Sequence, residues 1–508
     1  MRFTLALLAA FAAVPGTSAQ RVLSISFGKH TNNPTLRRRS PTHSQELNNN
    51  LTGGGYYADV FIGTPPQPVS LVLDTGSSDV WVLDNNANIC RSAKLQAYYG
   101  YCVSTYNPSK SSTYQMVGED SFNIRYLDGS GAAGNYIKDT FTIGGANITN
   151  LQMGLAENTN INSGLLGVGF SANVASDVKY PNIMDLFEEQ GLIATQAYSL
   201  YLDDLYAETG TILFGGLDTE KYIGELKAVP ILPDTKTKNY TSFSVALSSL
   251  TMTADNGTVT NFTQAVIPAI LDSGTTLTYL PTSMANRIIT AFGAVDDTST
   301  DGTGLVYVNC DYLSSNKNLT FDFQFGGSDG PIIRVPIDEL ILDNVKGYVE
   351  IGLVVPNLPF DNVCSFGIQG NSGLYLLGDT FLRSAYVVYD LSNKQIALAP
   401  ANLNSTRSNI VEITEESGIP DVTGVASQVS AEQTATGLPG TDAGGSLTAT
   451  ATATATATVT PTTTGSSSST ESLGNSGIKS VPAPNWEVAA VAAMAGVFSL
   501  VGAGVLVL

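Results

Sequence analysis

Between residues 53 and 402 apolar and polar positions alternate in short runs, broken by Gly, Pro and Asn. A period of two belongs to strands that bury one face. Tyr56-Tyr57-Ala58-Asp59-Val60-Phe61-Ile62 reads as a strand, Gly63 to Gln67 as a turn, and Val69 to Leu73 as the returning strand. Two helix candidates interrupt the pattern, Ile183 to Gln190 and Ser283 to Phe292. The region predicts an all-β core.

The pattern changes at both ends. Residues 1–19 hold Arg2, an apolar run from Phe3 to Ala13, and Thr17-Ser18-Ala19, which together read as a secretory signal cut after Ala19. Residues 20–39 contain basic but no acidic residues and end in Arg37-Arg38-Arg39. In an exported chain this is a short propeptide, cut after Arg39 by a dibasic-specific processing protease. A merely solvated basic run is the alternative. From about residue 405 Ser, Thr, Ala and Gly take over, with alternating Thr and Ala from Thr448 to Thr458. Such a segment buries no core and suits an O-glycosylated stalk. Asn475-Ser476-Gly477, a spacer and an apolar tail from Val488 to Leu508 follow. Small residues, spacer and tail form the pattern of a GPI-anchor signal, with Asn475 the attachment site. A transmembrane helix is the competing reading of the tail.

Charge and composition narrow the chemistry. Acidic residues outnumber basic ones 44 to 24. Without residues 1–39 and 476–508 there remain 17 basic and 43 acidic residues, a net charge of −26. No basic surface is available for nucleic acid, and self-repulsion is least at acid pH. The two His, His30 and His43, both precede the patterned region. A Ser/His/Asp triad, a Cys/His pair and a His-ligated zinc site each need a His in the core. Acid–base chemistry must therefore fall to carboxylates, and neither metal nor cofactor is expected. Seven Asn-x-Ser/Thr sites (Asn50, Asn147, Asn239, Asn256, Asn261, Asn318, Asn404) fit a secreted surface. Four Cys in an oxidising compartment imply two bridges, with three possible connectivities. Cys90–Cys102 with Cys310–Cys364 is favoured, because each bridge then stays within one half of the chain.

The core is duplicated. Ser70-Leu71-Val72-Leu73-Asp74-Thr75-Gly76-Ser77-Ser78 recurs as Pro268-Ala269-Ile270-Leu271-Asp272-Ser273-Gly274-Thr275-Thr276. Leu165-Leu166-Gly167 follows the first copy and Leu376-Leu377-Gly378 the second, 93 and 106 residues from Asp to Gly. One Asp-Thr-Gly is weak evidence, but the doubled constellation with strand-like flanks is strong. The expected division is then a signal peptide 1–19, a propeptide 20–39, lobes 53–225 and 226–402, a stalk 403–475 and a removed anchor signal 476–508. Each Asp follows an apolar strand on a tight turn, and facing lobes would bring the carboxylates together. Like charges that close cannot both ionise freely, so one pKa is expected to fall and the other to rise.

These two Asp loops resemble those of the pepsin-type aspartic endopeptidases, over roughly residues 53–402. With the signal, dibasic propeptide end and GPI tail, the chain is similar to the fungal yapsin-like and candidapepsin-like branch. The resemblance implies a bilobal pepsin-like fold, with two β-barrel-type lobes, a central sheet and a cleft. It implies a monomeric enzyme acting on polypeptide substrates, with Asp74 and Asp272 catalytic. Thr75 and Ser273 would hydrogen-bond across the loops, Ser77 and Thr275 would contact the outer carboxylate oxygens, and Gly76 and Gly274 would permit the turns. Phe122 to Gly131 looks like the flap, with Tyr126 as its tyrosine, Trp81 as the partner of Tyr126, and Asp128, Gly129 and Ser130 at the tip. Leu127 departs from the Gly common at that position. Asp128 implies tolerance of basic residues just before the cut; a turn-capping Asp is the plainer reading. Three other functions compete with this reading: a binding-only pseudoenzyme, a structural wall protein and a glycosidase with paired carboxylates. The first is opposed by the intact loops, the other two by the symmetric Asp turns.

Overall fold

The computed structural model describes residues 21–28, 55–126, 129–207, 209–299, 302–350 and 354–427, with 429 and 431. The signal, Arg39, Asn50, Leu127, Asp128, the stalk beyond residue 431 and Asn475 lie outside the described residues. The strands of the first half are β1 (Leu23–Gly28), β2 (Tyr57–Ile62), β3 (Gln67–Asp74), β4 (Val80–Leu83), β5 (Gln115–Arg125), β6 (Gly131–Ile143), β7 (Ala146–Thr159), β8 (Gly164–Gly167), β9 (Ala197–Tyr201) and β10 (Thr209–Phe214). In β2 the period of two is explicit: Ala58, Val60 and Ile62 are buried while Tyr57, Asp59 and Phe61 are half-buried. Strands β2, β3, β8, β4, β7 and β6 are paired in that order, and β6 returns to β2, which closes a barrel. Leu71, Leu73, Val80, Ile137, Met153 and Leu166 lie in its core.

The second half is built around Ser244–Thr253 in an eight-stranded sheet that includes Ile267–Leu271, Leu376–Leu377 and Thr278–Pro281. The pairings among the described residues do not close this sheet on itself. A four-stranded sheet adds to the lobe. Between the halves lies a sheet shared equally. β1, β10 and β9 come from the first half, and Ala385–Asp390, Gln395–Pro400 and Leu226–Pro230 from the second. The expected helices are Ile183–Glu189 and Thr282–Ala291. The first carries a capping box formed by Asn182 and Asp185, which satisfies its first amides. The disulfides are Cys90–Cys102 and Cys310–Cys364.

Two segments that the sequence reading places outside the lobes are folded onto them. Residues 23–28, assigned to the propeptide, are an internal strand of the sheet, with Leu23 and Ile25 buried. Residues 403–427, assigned to the stalk, belong to the folded body. Ile410–Glu412 pairs with Gly216–Asp218, and Val422–Val425 runs parallel to Leu226–Pro230. Ile413, Ile419 and Ala426 are buried. The reason is local: Val411, Ile413, Ile419 and Val422 pack into one apolar cluster with the sheet, and composition averaged over the segment hides them.

Candidate active site

The two Asp loops sit where each half repeats one topology. Asp74 ends β3, which runs parallel to β8, while β4 pairs antiparallel on the other side of β8. Ile267–Leu271, Leu376–Leu377 and Thr278–Pro281 repeat this arrangement around Asp272. The two Leu-Leu-Gly segments are the middle strands, each packed beside an Asp loop: Val168 N donates to the Asp74 carbonyl at 3.0 Å, and Asp272 N to Leu377 at 3.1 Å.

Both carboxylates are fully buried and face one another across the pseudo-twofold arrangement. A Cβ added at Gly76 would lie 2.5 Å from Asp272 Oδ1, and one at Gly274 2.4 Å from Asp74 Oδ1. Glycine at both positions is therefore required by the approach of the opposite carboxylate. The donors are matched. Gly76 N donates to Asp74 Oδ1 and Gly274 N to Asp272 Oδ1, each at 2.8 Å. Ser77 Oγ donates to Asp74 Oδ2, and Thr275 Oγ1 to Asp272 Oδ2 at 2.6 Å. Across the loops, Ser273 N donates to Thr75 Oγ1 at 2.9 Å and Thr75 N to Ser273 Oγ at 3.2 Å. The hydroxyls go on to the opposite strand ends, Thr75 to Leu271 O at 2.9 Å and Ser273 to Leu73 O at 3.0 Å.

Electrostatics departs from the sequence expectation in one respect. Burial, then the charge of Asp272, holds Asp74 well above the ordinary carboxylate range. Burial also pushes Asp272 up to about 6, against the donors Thr275 and Gly274. Neither pKa falls, because desolvation acts on both carboxyls and outweighs the hydrogen bonds. The pair retains a proton well above the range of an isolated carboxylate and titrates as a unit.

The segment expected to be the flap forms the β5–β6 hairpin. Its neck is closed by Tyr126 N to Ser130 O at 2.9 Å and Gly129 N to Tyr126 O at 3.0 Å. Gly129 has φ +82°, a conformation side chains disfavour. Trp81 Nε1 donates to Tyr126 Oη at 2.7 Å, and both residues are buried. Six of the seven glycosylation sequons are described, at Asn147, Asn239, Asn256, Asn261, Asn318 and Asn404, and all six are exposed.

The sequence profile described as "Eukaryotic aspartyl protease" matches residues 55–401. The chain is 39% identical over 420 residues to "Probable aspartic-type endopeptidase OPSB" of Arthroderma benhamiae, covering 80% of this chain and 81% of that protein. The Aspergillus oryzae protein of that description is 40% identical over 406 residues, 78% of each. "Secreted aspartic protease 8" of Candida albicans is 35% identical over 358 residues, covering 70% of this chain and 78% of that one. The chain belongs to the eukaryotic aspartyl proteases and is an aspartic-type endopeptidase. Its fold is also that of the aspartic proteinase from Irpex lacteus, with a TM-score of 0.55 at 22% identity over 76% of this chain and all of the other.

Several supports of this aspartic protease's site are silent in its sequence. Asp79, fully buried, accepts from Tyr180 Oη at 2.6 Å, Tyr136 Oη at 2.9 Å and Ala175 N at 2.7 Å. Burial raises its pKa despite those donors. Asn182 ties the helix start to the first loop, donating to Gly169 O at 2.9 Å and Ser78 O at 3.3 Å. Tyr198 and Tyr389 stack with ring centroids 4.8 Å apart, and burial, then the charges of Tyr389, Asp74 and Asp272, raise the Tyr198 hydroxyl. Arg383 and Glu339 form a buried ion pair, and Glu339 Oε1 accepts Leu205 N at 3.1 Å. Their partners lie far apart in sequence, so no local pattern announces them.

Proposed function

We propose that Asp74 and Asp272 catalyse hydrolysis of extended polypeptides at the cell surface at acid pH. The observation that carries this reading is the symmetric dyad, two buried carboxyls under matched donors in loops cross-linked by Thr75 and Ser273. In the singly protonated pair, the ionised carboxylate takes a proton from water, which attacks the peptide carbonyl. The protonated carboxyl donates to the carbonyl oxygen, and a proton then passes to the leaving nitrogen. No covalent acyl-enzyme forms. Ser77 and Thr275 fix the outer oxygens, and the flap closes over substrate with Tyr126 braced by Trp81.

Export, glycosylation, cutting after Arg39 and a GPI anchor at Asn475 complete the proposal. They are supported by the terminal patterns in the sequence, by the exposure of the six described sequons, and by the Candida albicans relative, which is by name secreted. Asp128 pairs with Lys or Arg before the cut through a charge-assisted contact. Replacing it, Asp128→Ser, reduces cleavage after Lys far more than after Phe; equal losses overturn that specificity.

The test is hydrolysis of denatured casein from pH 3 to 7, with and without pepstatin, beside Asp74→Asn. Activity blocked by pepstatin and abolished in the variant supports the reading. A folded, correctly processed enzyme with no activity overturns it in favour of a binding-only protein.

A further inference from the structure

We propose that β1 stays in the enzyme after the chain is cut at Arg39, as a second, noncovalently held chain. The inference rests on the processing proposed above. β1 is not an edge strand: it lies between β10 and β2. Six residues, Leu23 to Gly28, are in register with Phe214 to Thr209, and Gly28 is also in register with Tyr57. Leu23 and Ile25 are buried, and their side chains fill the space beside Gly144, where a Cβ would lie 2.8 Å from Ile25 Cγ1. Arg21 N donates to Glu412 Oε1 at 3.2 Å. Val22 packs over Gly216, where a Cβ would lie 2.7 Å from Val22 Cγ1. The segment is thus fixed by β10 and by the C-terminal arm, both of which remain after cutting.

The segment that cutting frees cannot reproduce this. A replacement strand needs large apolar residues two apart, to stand where Leu23 and Ile25 stand. Residues 40–54 contain only Leu47 and Leu51, four apart. Loss of β1 without replacement would leave β10 with an unpaired edge and bare apolar surface. The register partners of β1 are in β10 and β2, not in the Asp loops, so the retained strand leaves the cleft free.

The experiment uses the full secreted chain, treated with a dibasic-specific protease and checked by N-terminal sequencing for Ser40. Native size exclusion is followed by denaturing mass analysis of the protein peak. The expected result is residues 20–39 co-eluting with the enzyme at one to one, and released from Ile25→Asp with a fall in Tm of several degrees. A peak that has lost the peptide yet keeps its Tm overturns retention, as does new amide protection in residues 40–54 after cutting. If Arg39 is not cut, the processing reading fails. Retention is then tested alone, by replacing residues 32–39 with the recognition sequence of a site-specific viral protease.

Discussion

Thr75 and Ser273 each receive the other's backbone amide on the side-chain hydroxyl, at 2.9 and 3.2 Å, although 198 residues separate them. Each hydroxyl oxygen is acceptor and donor at once, which no single atom of a side-chain amide or a carboxylate can be. The two loops are thereby one rigid object, and the facing carboxyls are positioned by it.

Thr75→Val keeps the shape and removes that bridge. It strands the buried amide of Ser273 and the Leu271 carbonyl, a loss of about 1–3 kcal/mol for each group left unpaired. We expect a lower Tm and kcat reduced ~10–100-fold, as about 1.4–2.7 kcal/mol at the barrier gives, with KM little changed. Thr75→Ser restores most of both. A kcat unchanged in Thr75→Val would show that the bridge positions nothing.

The pH dependence of stability has a defined sign. Asp272 titrates at about 6 in the fold against an ordinary 3.8, and Asp74 is raised as well. Between those values the native state binds more protons than the unfolded chain, so stability falls as pH rises from about 4 toward 7. The net negative charge of the chain acts in the same direction, so the comparison is with Asp272→Asn, whose Tm should fall less steeply over that range. Parallel slopes would refute the dyad's part. The alkaline limb of the rate profile, where the pair loses its last proton, should likewise lie above the range of an isolated carboxylate.

How legible was this in the sequence? The dyad, its hydroxyls and the flap aromatics could be read because each lies in a short motif repeated or flanked by strand pattern. Both disulfides were readable from the partition of four cysteines between two halves. Asp79 with Tyr136 and Tyr180, and Arg383 with Glu339, were not, since long-range pairing leaves no local trace. Like-charge repulsion alone predicts one dyad pKa falling; burial, which the sequence does not display, raises both.

Trp81 and Tyr126 offer a separable test. Their hydrogen bond of 2.7 Å is buried, so Trp81→Phe leaves the Tyr126 hydroxyl without that donor. We expect kcat/KM to drop ~10-fold, equivalent to about 1.4 kcal/mol, through a flap that closes less well. Tyr126→Phe in the same background should add little, because the two residues act as one unit. Additive losses would mean that the aromatics are merely core packing.

The C-terminal arm gives the prediction most at odds with composition. A chain ended at residue 402 loses the strands Ile410–Glu412 and Val422–Val425, and with them the buried Ile413, Ile419 and Ala426. Two buried isoleucines alone contribute about 3–6 kcal/mol by area burial, an upper range because the unfolded chain is not fully extended. The arm also joins distant parts. Ala426 N donates to Ala228 O at 2.8 Å, Gly327 N to Ser427 O at 2.7 Å, and Asn409 N to the buried Asp218 Oδ1 at 2.7 Å. Ending at 402 leaves Asp218 without that donor and without the Ser408 hydroxyl at 2.7 Å. A chain ended at residue 431 should match the full chain in Tm and activity, while one ended at 402 should unfold at a lower temperature and be secreted less. Equal Tm for the two truncations would mean that the arm only rests on the sheet, and that the stalk begins where composition alone placed it.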